Sequence, residues 1–87
     1  MDTSYKINKN INFQKIDETI FILNIDDGEY YELSDSASYI WNLISEEFSY
    51  NKILNELESS FEFENNIKQD LDELLLELEN LGLIHSQ

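Results

Sequence analysis

The stretch from Thr19 to Trp41, TIFILNIDDGEYYELSDSASYIW, constrains the fold more than any other part of this chain. The run Thr19 to Asp26 is rich in β-branched and aromatic residues, as a strand is, and it leads into Asp27-Gly28. That dipeptide favours a hairpin, because a type I′ turn needs positive φ at both central positions. A second run, Glu29 to Leu33, places Tyr31 and Leu33 on one face of a strand and Tyr30 and Glu32 on the other. Ser34 or Ser36 then caps a helix in which Ala37, Ile40, Trp41 and Ile44 recur at i, i+3, i+4 and i+7. A strand pair handing directly into a helix leaves a sheet edge beside helical surface. Such an edge can accept an extended peptide as a further strand.

The rest of the chain extends this plan. Ile11 and Phe13 alternate with Asn12 and Gln14, which predicts a strand over 10–15, and Asp17-Glu18 reads as a turn. The three strands form a meander with 19–26 in the middle. That strand is apolar on both faces in its first half, as a strand covered on each side would be. Residues 1–9 are polar and are expected to be flexible, leaving a single domain over 10–85. Ser49 is the predicted cap of a second helix, with Phe48 and Ile53 spaced as a hydrophobic staple, and Tyr50, Ile53, Leu54, Leu57 and Phe61 form its apolar face. A third helix starts near Asn65 or Asn66 and carries Ile67, Leu71, Leu74, Leu75, Leu78 and Leu81 at helical spacing. Gly82 ends it, with Leu83 placed to touch Leu78 across a Schellman turn. Leu76 lies outside that stripe. The expected class is α+β, a three-stranded antiparallel N-terminal meander followed by a three-helix bundle.

Charge and composition remove whole classes of function. Nineteen acidic residues against five lysines and no arginine give a net charge of −14. Phosphate backbones and anionic membrane surfaces are held by clustered Lys and Arg, so neither nucleic acid nor a membrane is an expected partner. Without cysteine there is no disulfide framework and no thiolate metal site. The N-terminus MDTSYKINKN lacks the apolar run of a signal peptide, and a cytoplasmic location is expected.

Catalysis finds no support. His85 stands alone near the C-terminus as an exposed tail residue, with no cysteine and no Ser-His-acid set. Aligning Gly28 with the invariant glycine of a calcium loop puts Leu23, Ile25 and Ser34 where oxygen ligands belong, so an EF-hand is rejected. Gly28 and Gly82 are the only glycines, too few for a phosphate loop. No enzyme activity, metal or cofactor is expected.

One resemblance organises these features. The ordered pattern D-D-G-x-Y-Y-x-L-S, S-A-x-x-I-W-x-L-I, S-x-x-x-I-L-x-x-L and I-x-x-D-L-x-x-L-L-x-E-L-x-x-L-G-L-I resembles the PqqD-like family, also called the RiPP recognition element, over Asn10 to His85. The doubled tyrosine Tyr30-Tyr31 and the pair Ile40-Trp41 are most similar to the discrete leader-recognition proteins of lasso-peptide clusters. Ser34 stands where Asn is common in the family, and the acidity is extreme.

The resemblance implies a winged-helix-like domain that takes the leader of a ribosomally made precursor peptide as a fourth antiparallel strand. Carried onto this sequence, one wall of the groove is Gly28, Glu29, Tyr30, Tyr31, Glu32 and Leu33. The other is Ile67, Asp70, Leu71, Leu74 and Leu75. The implied partners are a precursor leader peptide and a maturation enzyme such as a leader peptidase or cyclase. Glu29, Glu32, Asp70 and Asp72 would make the groove negative, favouring a leader with Lys or Arg near its bound segment. A free edge can also pair with its own copy, so a monomer or a weak homodimer is expected. The alternative reading is a small acidic winged-helix regulator or DNA mimic, since fold alone does not decide function.

Overall fold

The computed structural model describes residues 2–60 and 66–87. Five strands and three helices follow in the order β1 (Tyr5–Ile7), β2 (Ile11–Ile16), β3 (Thr19–Asn24), β4 (Tyr30–Glu32), α1 (Asp35–Ser45), α2 (Tyr50–Ser60), α3 (Ile67–Asn80) and β5 (Ile84–Ser86). The expected meander is present as the antiparallel sheet β2-β3-β4, with the three helices after it. Phe61 and Asn65, read from the sequence as part of α2's apolar face and as a start for α3, lie outside the described residues.

The type I′ turn expected at Asp27-Gly28 occurs instead in the other hairpin of the meander. The pair Ile16↔Thr19 closes a two-residue loop in which Asp17 (φ 49) and Glu18 (φ 70) both adopt positive φ, the requirement of a type I′ turn. At Asp27-Gly28, where that turn was expected, only Gly28 has positive φ (76). The Asn24 carbonyl accepts from the Gly28 N–H at 2.8 Å, and Asn24 N–H donates to the Glu29 carbonyl at 2.9 Å. The loop is therefore four residues long, 25–28. Asn24 and Asp27 hold it from within: the side chain of Asn24 accepts from Asp26 N–H at 3.0 Å and that of Asp27 from Glu29 N–H at 2.8 Å. Side-chain to backbone bonds of this kind outweigh the dipeptide preference.

β3 is central, but only one of its faces is covered. Ile20, Ile22 and Asn24 are buried, whereas Leu23 on the opposite face is 36% exposed. The expectation of a strand buried on both sides fails because α1 and the core behind it cover one face and a chain of this length forms no second layer.

Serines cap the N-termini of the first two helices, and a glycine turn ends the third, whose N-cap Asn66 makes no side-chain capping bond. Ser34 Oγ accepts from Ala37 N–H at 3.3 Å at the start of α1, and Ser49 Oγ from Lys52 N–H at 3.4 Å at the start of α2. α3 closes with both bonds of a Schellman motif, Leu83 N–H to the Leu78 carbonyl at 3.0 Å and Gly82 N–H to the Glu79 carbonyl at 3.0 Å, with Gly82 at φ 76. Leu78 and Leu83 are both buried, while Leu81, assigned from its spacing to the buried stripe, is 39% exposed.

The single core joins Ile20 and Ile22 of β3 to Trp41 and Ile44 of α1, with contributions from α2, α3 and β5. Trp41 is fully buried, with Phe13 edge-on to its ring at 5.5 Å. Its Nε1–H has no hydrogen-bond partner among the described residues, which costs about 1–3 kcal/mol. A ring of this size buries ~150–250 Å², a gain of about 4–6 kcal/mol, so the apolar term wins.

The segment 1–9, in which the sequence predicts no element, contains β1. This strand pairs antiparallel with β5 through Tyr5↔Ser86, Lys6↔His85 and Ile7↔Ile84. Around it, Thr3 accepts from Tyr50 N–H at 2.7 Å, and the Asp2 carboxylate accepts from Asn51 N–H at 2.9 Å in the first turn of α2. His85 is exposed, as expected, but it lies in β5 and is bonded to the Asn8 side chain.

One buried hydroxyl joins the sheet to the helices. Ser38 Oγ accepts from Ile20 N–H at 2.9 Å and donates to the Leu33 carbonyl at 3.4 Å. Replacing Ser38 by Ala leaves a buried N–H without a partner and is expected to cost about 1–3 kcal/mol in denaturant unfolding. Ser36→Ala, at an exposed position two residues earlier, is expected to stay within about 0.5 kcal/mol of the parent.

Candidate functional site

β4 is an edge strand of the meander, paired only with β3 among the described residues. Leu33 N–H donates to the Ile20 carbonyl at 2.9 Å, and the Glu29 carbonyl accepts from Asn24 N–H at 2.9 Å. Hydrogen-bonded pairs alternate along an antiparallel ladder, so Tyr31, opposite Ile22, also turns its backbone groups inward. Tyr30 and Glu32 are left with outward-facing N–H and C=O groups. The edge presents two donors and two acceptors, a full repeat for an added strand.

The side chains of β4 divide as its period requires. Tyr31 is half-buried against the core, and Leu33 continues that contact just past the strand. Tyr30, 64% exposed, lies on the outer face with its ring 6.2 Å from Phe21, and Glu32 stands opposite Phe21 on that face.

Immediately beyond β4, a cavity of about 190 Å³ opens between the start of α1, α2 and the first half of α3. Ser34, Ser36, Ala37 and Ile40 line it from α1, Leu57 from α2, and Ile67, Asp70, Leu71 and Leu74 from α3. A cavity of about 150 Å³ holds a benzene ring, so this one accepts a single large apolar side chain. Of the wall expected on α3, the structure brings Ile67, Asp70, Leu71 and Leu74 together. Leu75 is not among the lining residues, being 2% exposed in the core. Sequence reasoning missed Ser34, Ser36, Ala37, Ile40 and Leu57 as lining. Their helical spacing marks them as core or cap, and nothing in a one-dimensional pattern says that the core stops short there.

The acidic groups named from the sequence separate into two sets. Asp72 accepts from the Tyr50 hydroxyl at 2.5 Å and from Lys68 Nζ at 3.3 Å, tying α3 to the start of α2, and so does not contribute free charge to the cavity. Asp70 lines the cavity and holds no side-chain partner among the described residues. At the other end of the edge, the Tyr31 phenol is held above its ordinary pKa, first by partial burial and then by the carboxylates of Asp27 and Glu29. Gly28 shapes the loop at that end through its positive φ.

Two other cavities contain none of the expected residues of α3. One of about 420 Å³ is lined by Lys15, Asp17, Glu18, Asp35, Ser38, Tyr39 and Asn42. One of about 410 Å³ spreads over the outer face of the sheet at Asn12, Gln14, Phe21, Leu23 and Tyr30 and is also lined by Phe13. No helix among the described residues is long and apolar enough to cross a membrane.

The sequence model of the family described as coenzyme PQQ synthesis protein D (PqqD) matches residues 19–84, from the first residue of β3 to the first of β5. A solved structure of TbiB1 in complex with the TbiA(beta) leader peptide superposes with a TM-score of 0.87, at 25% identity over 92% of this chain and 94% of the other. A lasso peptide synthetase B1 complexed with the leader peptide superposes with a TM-score of 0.84, at 23% identity over 93% and 96% of the two chains. No curated protein matches the chain.

The negative potential at the edge is directly measurable. Replacing Asp27 by Asn and Glu29 by Gln together is expected to lower the Tyr31 pKa toward the ordinary tyrosine value, read by NMR titration of ring-labelled tyrosine. Replacing Glu58, an exposed acid on α2, by Gln is expected to leave that titration in place.

Proposed function

The chain belongs to the PqqD family, and from that premise we propose that it binds the leader segment of a ribosomally synthesised precursor peptide as an added strand on β4. The observation that carries this reading is the outward-facing backbone of Tyr30 and Glu32, continuous with a cavity sized for one large side chain. Its similarity over nearly the whole chain to TbiB1, a protein solved with a leader peptide, supports it. Main-chain bonds along the edge supply affinity with little sequence choice, and the cavity supplies the choice.

The groove residues are then Gly28, Glu29, Tyr30, Tyr31, Glu32 and Leu33 on the strand side and Ile67, Asp70, Leu71 and Leu74 on the helix side. The protein itself performs no chemistry. It presents the bound precursor to a separate maturation enzyme, a leader peptidase or cyclase, and raises the local concentration of the segment to be processed. An antiparallel leader, like every pair in this sheet, has its N-terminal part beside the end of β4. The side chain that enters the cavity therefore precedes the segment paired with Tyr30 and Glu32.

The test is fluorescence anisotropy of a labelled leader peptide from the precursor gene adjacent to this one. Proline is tolerated in an edge strand where its missing N–H faces outward, so Glu32→Pro is expected to preserve the circular dichroism spectrum. It is expected to weaken leader binding at least tenfold, roughly the loss of one or two main-chain bonds, whereas Glu32→Gln retains strand addition. Leu74→Ala, at a half-buried position in the cavity wall, is expected to weaken binding by a smaller factor. A leader that binds Glu32→Pro as tightly as the parent rules out strand addition at β4.

A further inference from the structure

The cavity beside β4 is lined by apolar side chains except for Ser34, Ser36 and Asp70. Asp70 has no counter-charge among the described residues. Lys68, two residues away, is bonded to Asp72 at 3.3 Å and lies over the Tyr50 ring, about 200° around the helix from Asp70. Lys6 is paired with Glu47, Lys15 with Glu18, and Lys52 lies over Phe48. Lys9 sits in the turn between β1 and β2. Glu32, on the outer face of the strand that leads to the cavity, adds a second carboxylate without a side-chain partner among the described residues.

An apolar side chain seated in this cavity removes water from the rim on which Asp70 stands. A carboxylate that loses solvation and gains no positive partner opposes binding, whereas one that gains a cation favours it and rejects acidic competitors. The charge of the whole chain, −14, works in the same direction by drawing cationic segments toward the surface. Side chains of a strand alternate faces with a rise of about 3.3 Å per residue. A cation therefore reaches Glu32 from the position next to the anchor, or Asp70 from the position beyond it.

We infer that Asp70 selects leaders in which a lysine or arginine lies within about two residues of the apolar side chain that fills the cavity. This deepens the peptide-binding reading of β4 and rests on it. Asp70 also lies in the first turn of α3, where a carboxylate favours the helix dipole. A loss of stability on substitution is thus expected from its position alone, so the test turns on charge pairing rather than on loss of binding.

The labelled leader from the adjacent precursor gene is titrated with the parent protein, Asp70→Asn, Asp70→Lys and Glu46→Gln. Ionic strengths of about 0.1 M and 1 M set Debye lengths of about 10 Å and 3 Å. Asp70→Asn is expected to weaken binding roughly 3–10-fold at the lower ionic strength and to approach the parent at the higher one. Glu46→Gln, which removes the same charge beyond the far end of α1, is expected to change affinity less than about twofold. A leader whose anchor-adjacent Lys or Arg is replaced by Glu is expected to bind Asp70→Lys more tightly than the parent, a rescue that a purely structural role of Asp70 does not produce. Thermal melts of each variant identify any that fail to fold, and the charge-swapped pair then carries the test. Tight leader binding that ignores both Asp70 substitutions and salt, or a tightly bound leader with no basic residue near its anchor, overturns the inference and leaves strand addition intact. A leader that does not bind the parent at all overturns both.

Discussion

The hydroxyl of Ser38 holds the point where β3, the end of β4 and α1 meet. In a regular ladder Ile20 N–H would donate to the Leu33 carbonyl, completing the pair that Leu33 N–H begins with Ile20. Here Ser38 Oγ stands between them, accepting from Ile20 N–H and donating to the Leu33 carbonyl. The substitution satisfies both buried groups while releasing the chain from the sheet, so that Ser34 can cap α1 at once. A sheet that continued past Leu33 would have no helix at this point and no cavity beside it.

From that junction the site follows in a few steps. β4 ends after Glu32 because the chain turns into α1, which leaves a short edge strand with two residues facing outward. Short edge strands limit pairing between copies, yet two outward residues suffice to seed pairing with a peptide. The apolar stripe of α1 meets α2 and α3 through Ile40, Leu57 and Leu71, and they close against one another incompletely toward β4. The same cluster that stabilises the domain thereby forms the wall of the cavity, and its residues serve packing and recognition together.

Electrostatics divides by geometry rather than by count. Of the acids near the start of α3, Asp72 is consumed in fastening α3 to Tyr50 and Lys68, while Asp70 is turned to the cavity. The two are two positions apart, and the helical period alone sends them to different neighbours. The N-terminal strand β1 acts at a distance from the site. By pairing with β5 and supplying Asp2 to the first turn of α2, it ties both chain ends to the helices that form the cavity.

Alternation and helical spacing made the meander, the three helices and most of the buried stripe legible, because burial on one face imposes a period on the sequence. Caps were legible for the same kind of reason: Ser34, Ser49 and Gly82 satisfy needs confined to a single turn. Whatever depended on residues distant in sequence was not legible. β1 is only three residues long, and its pairing with β5 at the opposite end of the chain makes it a strand. The type I′ turn at Asp17-Glu18 follows from the register of β2 against β3, which overrides the reluctance of non-glycine residues to adopt positive φ. Ser38 as a relay, the Asp72 tie to α2 and the Ala37 and Leu57 walls of the cavity arise only when separate elements meet. The sequence by itself determined which elements form and which faces they bury, since those preferences are local and periodic. Tertiary structure alone decided where packing stops short, and therefore where an edge and a cavity remain open, because a gap between elements has no period to leave in any one of them.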